Sequence, residues 1–173
     1  MDTREQIRQL VKELNGRLGH PATLAEIDEM ESELNLEFPK EYKEFLQTFG
    51  WIDATQEIFG GGKGIPKILS AVKETLELRK DYPDTFPKNV VAIHHDGRGN
   101  YYCLVCDGKD VGKVIFWQHN LDISQVYPNY PPGENNDFWI EGPDLWTWLI
   151  STFRETKEAF EEYEEWEKEQ AGN

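Results

Sequence analysis

Cysteine is scarce in this sequence: its two cysteines, Cys103 and Cys106, lie three positions apart. Two cysteines cannot form the disulfide framework on which small secreted domains depend, so a reduced compartment fits better. No apolar run approaches the roughly 20 residues that a membrane-spanning helix needs. The charged N-terminus also lacks the apolar stretch of a secretory signal. We therefore expect a soluble, cytoplasmic chain that folds as one domain over residues 1–173.

Positive charge is the second scarcity, with 18 Lys and Arg against 33 Asp and Glu and a formal net charge of −15. Residues 120–153 contain five acidic residues and no Lys or Arg, and residues 154–173 contain eight glutamates. The longest basic cluster is Arg79-Lys80, which disfavours nucleic-acid binding. An acidic surface attracts basic proteins, although the same composition also fits an acidic protein that is merely soluble.

Helical periodicity occupies most of the first 80 residues and the C-terminal end of the chain. Thr23 and Glu26 have the spacing of a capping box, and Gly50 follows a strongly apolar helix as its stop signal. The apolar stripes that we expect to face the core include Leu24, Ile68 and Leu76. The predicted helices span about residues 4–18, 24–36, 39–49, 66–80 and 145–168.

Strand patterns fall between the fourth and fifth predicted helices. Val90–His94, Tyr101–Cys106 and Val111–His119 are separated by turn sequences and predict an antiparallel meander with one face on the helices. Trp51–Phe59 is interpreted as a loop with a short strand, and the glycine-rich Gly60–Gly64 as a flexible loop. The predicted fold class is α+β, with a largely antiparallel sheet flanked by helices and a long acidic C-terminal helix.

Catalytic and metal-binding patterns are weak. His94, His95, Cys103, Cys106 and His119 lie on adjacent predicted strands, but the two cysteines of a C-x2-C inside a strand point to opposite faces and cannot both chelate. The acidic surroundings would raise rather than lower a thiol pKa, which disfavours a cysteine nucleophile. We expect one cysteine in the core and the other half exposed.

Other site motifs are absent or uninformative. The glycine-rich loop lacks the residue pattern of a phosphate-binding loop. Carboxylates are so abundant that no pair is singled out for general acid–base chemistry. We therefore predict no enzyme activity, no metal and no cofactor.

Two acidic segments carry the composition of a protein interface, in which tyrosine and other aromatic residues lie beside charge. One is the Pro- and Asn-rich stretch 122–137, and the other is the end of the last helix. The predicted partner-binding residues are Asp122, Tyr127, Tyr130, Glu134, Asp137, Glu161, Glu164, Glu165 and Trp166. Packing back onto the domain is the alternative for the aromatic residues of the last helix.

Three motifs appear in order along residues 22–153: a segment ending in FPKEYKEFLQTFG, a DGRGN turn followed by a strand with cysteine, and GKVIFW. Together they resemble the SUKH superfamily (SMI/KNR type). The matching positions, which the resemblance implies are structural, are Glu26, Phe38, Pro39, Tyr42, Phe45, Leu46, Gly50, Asp96, Gly97, Gly99, Asn100, Cys103 and Trp117. The N-terminal helix, about 4–18, and the acidic extension, about 154–170, lie outside this shared core.

The resemblance implies a non-catalytic protein. Bacterial members of the superfamily are immunity proteins that bind and silence a cognate polymorphic toxin, often a nuclease, and a fungal branch includes a regulator of cell-wall synthesis. The first hypothesis is therefore an immunity protein with an acidic toxin-binding surface. The alternatives are a regulatory scaffold and, third, a metal-dependent enzyme using the histidine and cysteine set. The sequence does not identify the toxin or the oligomeric state.

Overall fold

The computed structural model describes residues 2–120 and 140–171. Within these residues the chain forms five α-helices, one short 3-10 helix and seven strands arranged in two sheets. The helices are α1 (Thr3–Glu13), α2 (Leu24–Leu34), α3 (Lys40–Phe49), α4 (Ala71–Asp81) and α5 (Leu145–Ala171). The strands are β1 (Arg17–Leu18), β2 (Ile52–Ala54), β3 (Gln56–Ile58), β4 (Val90–His95), β5 (Tyr101–Val105), β6 (Val114–Trp117) and β7 (Ile140–Gly142).

Helix α1 is shorter than its apolar pattern predicts. Asn15 adopts a positive φ of 54° and donates its N–H to the Lys12 carbonyl, while the Gly16 N–H reaches the Val11 carbonyl at 2.8 Å. This pair of hydrogen bonds is the Schellman arrangement, which closes a helix. The predicted helix through Leu18 is therefore wrong, because the chain turns at Asn15 and enters β1.

Helices α2 and α3 follow the predicted capping and periodicity. The Thr23 side chain accepts from the Glu26 N–H, and the Glu26 carboxylate accepts from the Thr23 N–H at 2.7 Å, which confirms the capping box. The prediction that Leu24 faces the core is wrong, because 64% of this residue is exposed. At the first position of a helix, its side chain lies on the outer face. The buried face of α3 is formed as predicted by Tyr42, Phe45, Leu46 and Phe49.

Residues 51–59 form a hairpin of two short strands rather than the predicted loop with one short strand. Strands β2 and β3 pair antiparallel across Thr55, whose φ is 66°, and β1 adds to the other edge of β2. Ile52 and Ile58 are fully buried. The strands are three residues long, which is too short for a period-of-two pattern to stand out in the sequence.

The second sheet is an antiparallel meander in the order β4-β5-β6-β7. It confirms the predicted meander and the α+β fold class. Strand β6 is shorter than the predicted Val111–His119, because residues 109–112 form a turn and the strand ends at Trp117. The two sheets meet where the Phe59 N–H donates to the Ile93 carbonyl at 2.8 Å. The next residue, Gly60, is bridged to Ser70, so the start of the glycine-rich segment is packed and buried.

Helix α4 begins later than predicted. A 3-10 turn, Lys67–Leu69, follows Pro66, and Ser70 caps α4 by accepting from the Lys73 N–H. Because the turn changes the helical phase, Ile68 (62% exposed) and Leu76 (40% exposed) do not join the core as predicted.

Thr75 is the polar residue through which α4 is fixed to the second sheet. Its side chain is fully buried, and its Oγ1 accepts from the Ala92 N–H of β4 at 3.0 Å. A buried backbone donor that loses its acceptor costs about 1–3 kcal/mol.

Replacing Thr75 with valine is therefore expected to lower the free energy of unfolding by about 1–3 kcal/mol, because the shape is kept and the acceptor is lost. Urea denaturation of the purified variant measures the loss. Thr75→Ser keeps the hydroxyl and is expected to cost only the buried methyl group, about 1 kcal/mol. A valine variant as stable as the native protein would contradict the hydrogen bond as the cause.

A continuous core runs from α1 to the first half of α5 and contains both sheets. The inward face of α5 is formed as predicted by Leu145, Trp148, Leu149 and Phe153. Across residues 2–120 and 140–171, no helix has both the length and the apolar character needed to cross a membrane.

Candidate partner-binding surface

Helix α5 changes character halfway along its length. Its first half packs on the core, whereas every residue from Glu158 to Gln170 is exposed. Phe160, Tyr163 and Trp166 are 46%, 55% and 55% exposed, so they do not pack back onto the domain. We call this segment, 158–170, the exposed half of α5; at 1.5 Å per residue it is about 20 Å long.

An ion pair joins α5 to α1 just before the exposed half begins. Lys157 Nζ lies 2.9 Å from the Glu13 carboxylate of α1 and 3.6 Å from that of Glu161. The hydrogen bond from Lys157 lowers the pKa of Glu13, and the same bond raises the pKa of Lys157. One residue earlier, Thr156 accepts a hydrogen bond from Gln56 of β3 at 3.2 Å. The helix is thus held to two different elements at the root of its exposed half.

Four of the predicted partner-binding residues lie on the exposed half of α5: Glu161, Glu164, Glu165 and Trp166. The rings of Tyr163 and Trp166 contact each other with centroids 5.9 Å apart, and Lys168 lies 3.9 Å from the Glu164 carboxylate. The segment therefore combines an aromatic pair with a dense set of carboxylates. The other five predicted residues, Asp122, Tyr127, Tyr130, Glu134 and Asp137, lie outside the described residues.

Apart from Glu26, the matching positions of the first motif lie in the core. Tyr42 is fully buried between Phe38 (5.0 Å, edge-on) and Phe45 (5.8 Å, stacked), and its hydroxyl donates to the Phe59 carbonyl at 3.1 Å. Burial raises the pKa of the Tyr42 hydroxyl far above its ordinary value. The other members of this set are the capping residue Glu26, Pro39 before α3, the buried Leu46 and the helix stop Gly50.

The second motif builds a turn around one carboxylate. Asp96 accepts from the Arg98 N–H at 2.7 Å and from the side-chain amide of Asn100 at 2.7 Å, and Asn100 Oδ1 accepts from the His119 N–H. Desolvation acts to raise the pKa of Asp96, but these hydrogen bonds together lower it. Gly97 and Gly99 supply the positive φ angles of the turn, while Cys103 and Trp117 lie in the core on β5 and β6.

The histidines and cysteines take structural positions. Within residues 2–120 and 140–171, no three His, Cys, Asp or Glu side chains are grouped to hold a metal ion. His94 Nδ1 bonds to the Glu57 carbonyl and His95 Nε2 to the Glu57 carboxylate, both at 2.9 Å. Both cysteines are buried, so the prediction of a half-exposed cysteine is wrong. Cys106 follows the end of β5, and its N–H donates to the Asn89 carbonyl. Burial raises the pKa of Cys106 to about 12, which keeps it a thiol.

Comparison with known proteins gives the chain its family. The family model described as SMI1-KNR4 cell-wall, of the SUKH superfamily, matches residues 3–130, well over half of the chain. A curated relative is the SPbeta prophage-derived uncharacterized protein YokK of Bacillus subtilis (strain 168), 25% identical over 148 residues. That alignment covers 67% of this chain and 73% of the relative. With its α+β fold and its three motifs in order, the chain belongs to the SMI1-KNR4 family of the SUKH superfamily.

Proposed function

We propose that this protein is an immunity protein, which binds a cognate toxin and neutralises it in the cytoplasm of the cell that makes both. The observation that carries the proposal is the exposed half of α5, where an aromatic pair is left in water among glutamates. Large aromatic side chains are the residues that most often anchor protein interfaces. Family membership supports a protein partner, because the superfamily resemblance implies immunity proteins among its bacterial members.

Charge favours a nuclease as the toxin. The clefts of nucleases are basic because they hold phosphates. The exposed half of α5 has an excess of acidic residues, and so does the sequence of the stretch 122–137. Complementary charge speeds association and disfavours wrong partners. The mode of action is therefore occlusion of a basic surface, without catalysis by the immunity protein itself.

Two observations support a non-catalytic role. Burial holds the thiols of Cys103 and Cys106 protonated by raising each pKa, so neither is an available nucleophile. His94 is buried and has a lowered pKa because desolvation disfavours its charged form, and its Nδ1 is engaged by a backbone carbonyl.

Co-expression with the product of the adjacent reading frame tests the proposal. If that frame encodes a toxin, cells expressing it alone are expected to die, and cells that also express this protein are expected to survive. A toxin variant lacking its catalytic residue is the control, because it is harmless with or without the protein. Equal survival in the presence and absence of this protein would refute the proposal.

A regulatory scaffold is the second candidate, favoured by the cell-wall description of the matching family model. A scaffold of this type has no need of a toxin gene beside it. An adjacent frame without toxicity, together with altered cell-wall composition when the gene is deleted, would favour the scaffold over the immunity protein.

A further inference from the structure

A cleft of about 350 Å³ lies at the root of the exposed half of α5. Helix α5 forms one wall of the cleft, and strands of both sheets form the rest. The lining residues that matter here are His94, Tyr102, Glu141, Trp148, Glu155 and Ala159. This volume is at the low end for ligand pockets, which suits a single inserted side chain better than a large cofactor.

Aromatic rings form one part of the lining. Tyr102 lies 5.3 Å from His94 and 5.4 Å from Trp148, and His94 and Trp148 are 6.1 Å apart, centroid to centroid. Trp148 and His94 are buried, whereas Tyr102 is half exposed. Tyr102 is therefore the ring most accessible from the cleft, and His94 and Trp148 pack beside it as a preformed aromatic floor.

Carboxylates form the other part. Glu141 on β7 and Glu155 on α5 are exposed and line the same cleft, and no Lys or Arg is among its described lining residues. Burial is the main cause of the raised pKa of Tyr102, and the negative charges of Glu141, Asp96 and Glu155 add to it. The cleft thus combines an aromatic floor with hydroxyl and amide side chains, Thr156 among them, and is negative at its edge.

We propose that this cleft receives a lysine or arginine side chain from the surface of the basic protein partner. Such side chains pack their methylene stems on apolar surface and keep the charged head at a polar edge, which matches aromatic rings beside Glu141 and Glu155. Ala159 belongs to both the cleft and the exposed half of α5, so one partner surface can contact both. This inference rests on the proposed function for the identity of the partner.

The test needs no toxin. An N-acetylated glycine–lysine–glycine amide is titrated into the ¹⁵N-labelled protein, and chemical shifts are followed by NMR. Saturable shifts are expected at the Trp148 indole N–H and the amides of Tyr102 and Glu141. The arginine counterpart is expected to do the same, and the norleucine counterpart, which has the stem without the charge, is expected to bind at least about threefold more weakly.

Two variants with intact folds sharpen the test. Glu141→Gln combined with Glu155→Gln is expected to weaken lysine-peptide binding about fivefold, because two exposed carboxylates each contribute modestly. The matched control is Glu158→Gln with Glu162→Gln, which removes the same charge from exposed α5 positions outside the cleft and is expected to leave binding unchanged.

Three results would overturn the inference: no saturable shift up to about 10 mM peptide, equal binding of the norleucine peptide, or equal weakening by the two double variants. Because the probe is a peptide, these outcomes are independent of the co-expression result. A protein that rescues cells yet ignores the peptide would keep the immunity function and lose the cleft as a contact.

Discussion

Gly50→Ala is expected to lower the free energy of unfolding by about 3–5 kcal/mol, the combined cost of a strained backbone and an overpacked site. Gly50 has φ 67° and ψ −62°. The N–H of the next residue, Trp51, donates to the carbonyl of the preceding residue, Phe49, at 2.7 Å. This is a γ-turn of the rare, positive-φ kind, which strains any residue with a Cβ. A Cβ here would also lie 2.0 Å from the His20 carbonyl oxygen.

The structure offers a matched control for this substitution. Gly64 also has a positive φ, 76°, but nothing lies within 4 Å of the position a Cβ would take. Gly64→Ala is therefore expected to cost only about 1 kcal/mol, the backbone part alone. Thermal or urea unfolding of both variants separates the two contributions. Equal destabilisation would show that the contact with His20 is relieved at little cost.

Ending the chain after Phe160 is expected to weaken toxin binding at least about tenfold while leaving thermal unfolding nearly unchanged. The deletion removes six glutamates, Tyr163 and Trp166, all of them in the exposed segment. It spares the ion pair of Lys157 with Glu13. Loss of hot-spot aromatic residues accounts for the affinity, and loss of charge should also slow association and flatten its salt dependence.

Two smaller variants assign the effect. Trp166→Ala should raise the dissociation rate, whereas Glu164→Gln with Glu165→Gln should lower the association rate at low salt. Surface plasmon resonance at two salt concentrations measures both rates. A truncated protein that binds as tightly as the full chain would place the contact elsewhere, and charge reversal at Glu134 and Asp137 would then test the stretch 122–137. The organisation of residues 1–173 as one domain stays a prediction. The unfolding curve of the truncated protein tests whether residues 161–173 contribute to the stability of that domain.

Much of the fold could be predicted because local signals and tertiary packing agree. The capping box of Thr23 and Glu26, the apolar face of α3 and the turn between β4 and β5 depend on residues a few positions apart. Such local signals can be predicted from a single sequence. For the aromatic residues in the exposed half of α5, the sequence leaves two alternatives, exposure or packing on the domain, because glutamates surround them and leave only a narrow apolar face.

The features that the sequence does not predict have a different cause. They depend on contacts between residues that lie far apart along the chain. Arg17–Leu18 becomes a strand because β2 lies beside it, and Gly16 is required because a Cβ would approach that of Ala54 to 2.3 Å. The acceptor role of Thr75 depends on a strand that begins 15 residues later. The cleft beside Tyr102 joins residues from both sheets and α5, and no spacing in the sequence brings those residues together.

The exposure of Trp166 has an optical consequence. An indole in water emits at longer wavelength and is quenched by small solutes, whereas those of Trp117 and Trp148 are shielded by the core. Trp166 is the most exposed of the five tryptophans in the described residues, so it contributes a quenchable, solvent-exposed emission on the segment that we propose meets its partner. A blue shift that is absent from a Trp166→Phe variant would report docking without any added dye.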